Sequence, residues 1–137
     1  MKKIFSRIDN SKLLHIFFAL KDFQNERQDI VDPKEFIQVA TLALKKNQTF
    51  KPHQHIWKDI RYNQVIAQES WVVIKGSVMV DYYDIDGKII ENVILAEGDC
   101  TITLEGGHNY KSLEDKTLVY EFKTGPYKGI ENDKTFI

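Results

Sequence analysis

The pattern of apolar and polar positions divides the chain into two parts. In "SKLLHIFFALKDF", Leu13, Leu14, Phe17 and Phe18 fall at helical spacing, and Asn10 or Ser11 stands where an N-cap would. This predicts a short helix near the N-terminus. "QNERQDIVDP" follows as a polar connector, and Pro33 ends any helix there because it lacks an N–H and holds Asp32 extended. Residues 1–35 thus read as an N-terminal helix and connector, and residues 36–137 as a separate β-rich barrel.

From Phe36 onward the pattern becomes that of short strands. "EFIQVATLAL" is rich in β-formers, and "NQTFKPHQHI" follows it as a further extended stretch. "ESWVVIKGSVMVDYYD" is a long β-prone run broken at Gly76, and Asp86-Gly87 is a hairpin signal. "IENVILAEGD" is another strand ending in a turn. "CTITLEGGHNYKSLEDKTLVYEFK" supplies three more, separated at Gly106-Gly107 and at Glu114-Asp115. Many short strands at regular spacing predict an all-β sandwich or barrel.

Composition narrows the class. A chain of 137 residues reads as one domain, long enough to bury a core without disulfides. Its single Cys100 permits no internal disulfide and fits a reducing compartment. The net charge is −1, with Lys and Arg scattered rather than striped, which argues against nucleic acid or an anionic membrane as the main partner. The apolar run near the N-terminus is interrupted by His15, has no small-residue cleavage site after it, and is too short to span a bilayer. A cytoplasmic protein is expected. There is no P-loop and no dinucleotide-binding glycine pattern.

The candidate chemistry lies in the histidines. Only four are present, and His53 and His55 stand one residue apart in "FKPHQHIW". On a strand they would point the same way, an arrangement that suits a metal better than a core. The bland reading is two surface histidines on a polar loop. Glu69 opens the next strong strand, with Gly76 seven residues on, and His108 follows the Gly106-Gly107 turn. The set resembles the two-motif signature of the cupin family: H-x-H, then E-x6-G, and later a glycine-led segment ending in histidine. The resemblance implies a single cupin jelly-roll barrel (a double-stranded β-helix), here with the short helical N-terminal segment. It also implies that His53, His55, Glu69 and His108 hold one divalent transition metal ion. Three imidazoles and a carboxylate suit Fe(II), Mn(II), Zn(II), Ni(II) or Co(II), with positions left open for water or substrate.

"QESWVVIKGSVMVDYYDIDGKIIENVILAEGD" and "LVYEFKTGPYKGIENDKTF" are similar to small cupin-fold metalloproteins associated with bacterial lipopolysaccharide O-antigen gene clusters. That likeness implies a sugar or nucleotide sugar as the small-molecule substrate, in cell-surface polysaccharide biosynthesis. Tyr110 should share a strand face with His108, and could hydrogen-bond a substrate or simply fill the core. Glu121 shares a face with Lys123 and is a candidate proton-transfer group, or a solvated edge residue. Arg61 and Tyr62, in the insert at 56–68, could grip a substrate phosphate or carboxylate, or belong to a surface loop. His15 reads as a helix residue, not a ligand. Trp57, Trp71, Val73, Val78 and Val80 read as packing residues. The exposed apolar side of the N-terminal helix suggests a homodimer. Two functions follow: a metal-dependent sugar isomerase or epimerase, in which the metal polarises a carbonyl or hydroxyl, or a non-catalytic, metal-containing module that binds a small ligand or carbohydrate.

Overall fold

The computed structural model describes residues 1–58 and 64–137. Among these residues the protein is built almost entirely of antiparallel β-strands, with two isolated 3-10 turns at Leu20–Asp22 and Ile130–Asn132 and no α-helix. The strands are β1 (Lys2–Phe5), β2 (Leu13–Phe18), β3 (Gln28–Asp29), β4 (Ala40–Thr41), β5 (Glu69–Lys75), β6 (Val78–Tyr83), β7 (Ile89–Leu95), β8 (Cys100–Thr103), β9 (Gly107–Ser112) and β10 (Leu118–Lys123). They form a five-stranded sheet in the order β1-β2-β8-β5-β10, a three-stranded sheet in the order β7-β6-β9, and the small pair β3-β4. The all-β class expected from the sequence is observed. Neither sheet closes on itself.

The predicted N-terminal helix is a strand. β2 pairs with β1 on one side and with β8 on the other, so the N-terminal residues are integral to the larger sheet. The physical reason is burial on both faces. Ile16 and Phe18 pack with Ile30, Val31, Ile37, Cys100, Ile102 and Leu104 beneath a strap formed by residues 30–39. His15 faces the other way, across to the Tyr83 carbonyl on the three-stranded sheet. A strand covered on both sides is a continuous apolar run, and such a run matches a helical template as well as an extended one. Asn10 and Ser11 cap no helix: the Ser11 N–H and hydroxyl both donate to Asp9 Oδ1, within the loop joining β1 to β2. The apolar residues that suggested a dimer are interior or half-buried.

The two larger sheets pack face to face. Ile4, Leu14, Val73, Val78, Val80, Tyr82, Ile90 and Leu95 come from both and form one buried cluster. Each such aliphatic side chain removed from water contributes roughly 1.5–3 kcal/mol. Alternation along the central strands is strict. On β8, Cys100 and Ile102 face the strap, while Thr101 and Thr103 bond to side chains of the opposite sheet. On β5, the Ser70 hydroxyl meets Cys100 Sγ on the strap side, and Glu69 reaches His108 on β9. Cys100 is buried, as a small apolar side chain would be.

The turns fall where the sequence places them. Gly76 separates β5 from β6 with a φ of +81°. The hairpin at Asp86-Gly87 is present as a longer connection, with the Asp84 N–H donating to the Lys88 carbonyl and the Gly87 N–H to the Asp84 carbonyl. By contrast, "EFIQVATLAL" contributes only the two residues of β4, and "NQTFKPHQHI" contains no strand. Pro52 removes a ladder donor there, and residues 47–56 are exposed, with no sheet face to pack on. Trp57, expected as packing, is fully exposed.

Gly106 precedes β9 with a φ of +80°, and a Cβ there would lie 2.5 Å from the Tyr83 carbonyl oxygen. Gly106→Ala is therefore expected to lower the unfolding free energy by about 1–3 kcal/mol, measured by urea denaturation, because it adds left-handed strain to a backbone clash.

Candidate functional site

Most of the space between the sheets is apolar, but one end is polar. Five inter-sheet contacts build it. Glu69 Oε1 on β5 lies 3.2 Å from His108 Nε2 on β9. His108 Nδ1 is 3.1 Å from Thr103 Oγ1 on β8. Tyr82 Oη on β6 shares a short hydrogen bond with Thr101 Oγ1 on β8. His15 Nε2 on β2 is 3.0 Å from the Tyr83 carbonyl oxygen. The rings of Trp71 on β5 and Tyr110 on β9 stack with centroids 4.0 Å apart. Tyr110 also lies against the His108 ring, at 4.8 Å.

Register explains the gathering. β9 pairs with β6 so that His108 stands opposite Tyr82 and Tyr110 opposite Val80, on the face turned toward the five-stranded sheet. β5 and β8 pair Glu69 with Thr103 and Trp71 with Thr101. Positions two apart on each strand thus form two layers of the site.

The electrostatics follow from burial. Burial works against the Glu69 carboxylate, but the hydrogen bond and charge of His108, with Lys134 and Lys123 further off, outweigh it and hold its pKa below the usual value. His15 is fully buried, and burial lowers its pKa to about 4 against a bond to the Tyr83 carbonyl that favours the charged form. Burial, with Glu69 and Tyr82 nearby, pushes the Tyr110 phenol well above its ordinary value. The Tyr110 oxygen and Trp71 Nε1 are both buried with no hydrogen-bond partner among the described residues. Buried polar groups without a partner are rare in folded proteins, so these two mark the polar end of the sandwich as a candidate site.

The end of the chain crosses this region. Lys123 is ion-paired to Asp133 at 2.8 Å and lies over the Tyr127 ring. Thr124 N–H donates to the Gln68 carbonyl, and Ile137 seats on Gly107 beside His108. Residues 124–137 therefore pack along this end of the sandwich.

The structure thus brings together Glu69, His108 and Tyr110. It does not bring His53 and His55 to them. Those two are exposed, their rings 5.5 Å apart, in a segment without a strand, and His53 Nδ1 is bonded to the Lys51 carbonyl. No group of three or more His, Cys, Asp or Glu gathers as a metal site among the described residues. Glu121 is half-exposed on the edge strand β10, 4.0 Å from Lys123. Arg61 and Tyr62 lie outside the described residues. Sequence reasoning missed His15, Thr103 and Trp71. Thr103 carried a signal, the alternation of "CTIT"; His15 carried none, because its strand was read as a helix.

The Glu69–His108 pair fits a divalent metal as two of its ligands. Donor atoms at right angles on one ion, each about 2.1 Å from it, stand about 3 Å apart, close to the separation seen. His15 fits no metal, since both its ring nitrogens are engaged within the protein. A concavity of about 1180 Å³ lies between residues 25–27 and 42–50 and touches none of these side chains. Comparison with family models, with curated proteins and with solved structures finds no match to this chain. No helix among the described residues is long and apolar enough to cross a membrane.

Two outcomes follow. His15 is neutral in the fold and takes a proton more readily when unfolded, so its contribution to stability is complete above pH ~6.5 and is lost as pH falls toward 4, by up to about 3 kcal/mol. His15→Gln should flatten the stability difference across that window, measured by denaturation at a series of pH values. Tyr110→Phe removes a buried, unpartnered hydroxyl, and should raise the thermal midpoint of the ligand-free protein, a gain of about 1 kcal/mol.

Proposed function

We propose that this protein binds a divalent transition metal at Glu69 and His108, and beside it a small polar ligand, without turning that ligand over. The carrying observation is the 3.2 Å approach of a carboxylate and an imidazole from opposite sheets, at the polar end of an otherwise apolar interior. The orphaned Trp71 Nε1–H and Tyr110 hydroxyl would meet the ligand's oxygens. The cupin resemblance supplies the ligand class, a sugar or nucleotide sugar, and the finer architecture of a double-stranded β-helix. Bound there, the metal would act as a Lewis acid toward a carbonyl or hydroxyl.

Binding is favoured over isomerase or epimerase chemistry by the state of the acid–base groups. Tyr110 is held protonated far from its neutral-pH range and serves as a hydrogen-bond donor rather than a base. Glu121 stands half-exposed at the sheet edge. The catalytic reading rests on Tyr110 giving its proton to a substrate, and turnover of a nucleotide sugar by the metal-loaded protein would restore it.

The test is calorimetric titration of the full, metal-stripped chain with Zn2+. One site is expected in the wild type. Glu69→Gln and His108→Ala should each weaken it more than ~100-fold, beyond the loss typical of outer-shell changes. A paired His53→Ala/His55→Ala variant decides whether those imidazoles join the metal. Unchanged affinity in both the Glu69 and His108 variants overturns the site.

A further inference from the structure

Four side chains form a line of close polar contacts from the centre of the sandwich to the candidate site, and the line has a direction. The Tyr83 carbonyl can only accept, so His15 Nε2, 3.0 Å away, carries the ring proton. His15 is fully buried and neutral, so its Nδ1 is bare and accepts. Its partner there is Thr103 Oγ1, at 3.1 Å, whose single proton must point at His15. With that proton committed, Thr103 can only accept from its other neighbour, His108 Nδ1, also at 3.1 Å. The neutral His108 ring is then the Nδ1–H tautomer. Its Nε2 is left with a lone pair, 3.2 Å from a Glu69 carboxylate oxygen.

We propose that His15, acting through Thr103, is a positioning residue that holds His108 in the Nδ1–H tautomer and so presents a bare Nε2 beside Glu69. The arrangement is unfavourable without a cation, because a lone pair faces a negative oxygen. A divalent metal, or a proton on Nε2, removes the repulsion. Left alone, the carboxylate would draw the ring proton onto Nε2 and close the site with a simple hydrogen bond. The relay competes with Glu69 for the position of that proton and keeps the nitrogen available. The backbone serves the same end: Gly106 is the residue whose missing Cβ lets Tyr83 O and His15 Nε2 approach, the two atoms that a methyl there would meet at 2.5 and 3.2 Å. The metal-affinity consequence rests on the function proposed above; the tautomer assignment does not.

The experiment reads the ring nitrogens of His108 directly, by long-range 1H–15N spectra of the metal-free, 15N-labelled full chain at a pH about two units above the ordinary imidazole value of ~6.5. In the wild type, His108 Nε2 should give the shift of an unprotonated nitrogen and Nδ1 that of a protonated one. In Thr103→Val and in His15→Phe the pattern should reverse, with the proton on Nε2 facing Glu69. Thr103→Ser keeps the hydroxyl and should keep the wild-type pattern, which separates the relay from general damage to the core. In parallel, Zn2+ affinity should fall 10–100-fold in the Val and Phe variants and stay near wild type in Thr103→Ser. A wild-type His108 protonated on Nε2, or a tautomer unmoved by both Thr103→Val and His15→Phe, overturns the proposal. A wild type with the stated tautomer that binds no Zn2+ upholds the relay and overturns only the metal reading.

Discussion

A polar side chain enclosed between two β-sheets must find a partner across the gap, since an unmet donor or acceptor there costs about 1–3 kcal/mol. At one end of this sandwich the rule is obeyed by chaining. Tyr82 meets Thr101, His15 meets both Thr103 and the Tyr83 carbonyl, and His108 meets both Thr103 and Glu69. The His15–Thr103 bond links β2 to β8 within the five-stranded sheet, and the others join that sheet to the three-stranded one. The polar seam therefore fixes the relative placement of the sheets as well as the geometry of the site. The chaining stops at Trp71 Nε1 and the Tyr110 hydroxyl, which are buried with no partner among the described residues.

The other face of the larger sheet solves a simpler problem. Ile16, Phe18, Cys100 and Ile102 are apolar and need only cover, which Ile30, Val31 and Ile37 supply. Gln68 ties that cover down, its side-chain oxygen accepting from the Ile37 N–H and its amide donating to Glu35. Glu69, the next residue, points to the opposite face and into the polar seam. The alternation of a single strand thus separates the apolar, strap-covered side from the polar seam. Removal of the strap would expose the apolar face of β2 and β8 while leaving the seam's partners in place.

The strap and the chain end are unequal partners of the site. The strap packs on apolar surface and holds the sheet that carries Glu69, Thr103 and His15. The end of the chain touches the site's rim, through Asp133 on Lys123 and Ile137 on Gly107, and adds the positive charge of Lys134 near Glu69. A carboxylate that must remain ionised while largely buried benefits from such charges, and their placement opposes the desolvation that burial imposes.

The sequence by itself determined the class and much of the strand pattern. Period-two alternation in "CTIT" and "SVMVDYY", together with the turn chemistry of Gly76, Asp86-Gly87 and Gly106, is local, and local chemistry survives folding unchanged. Glu69 and His108 were legible as candidates because each stands beside such a turn or strand start. The tertiary structure alone decided that "LLHIFF" is a strand, since cover on both faces erases the periodicity that tells a strand from a helix. It alone decided which of the candidate ligands meet. Glu69 and His108 converge because two sheets stack, whereas His53 and His55 belong to a stretch with no sheet to register them. His15 and Thr103 are 88 residues apart and became neighbours only through the pairing of β2 with β8. Their contact depends on strand order, which no short stretch of residues encodes.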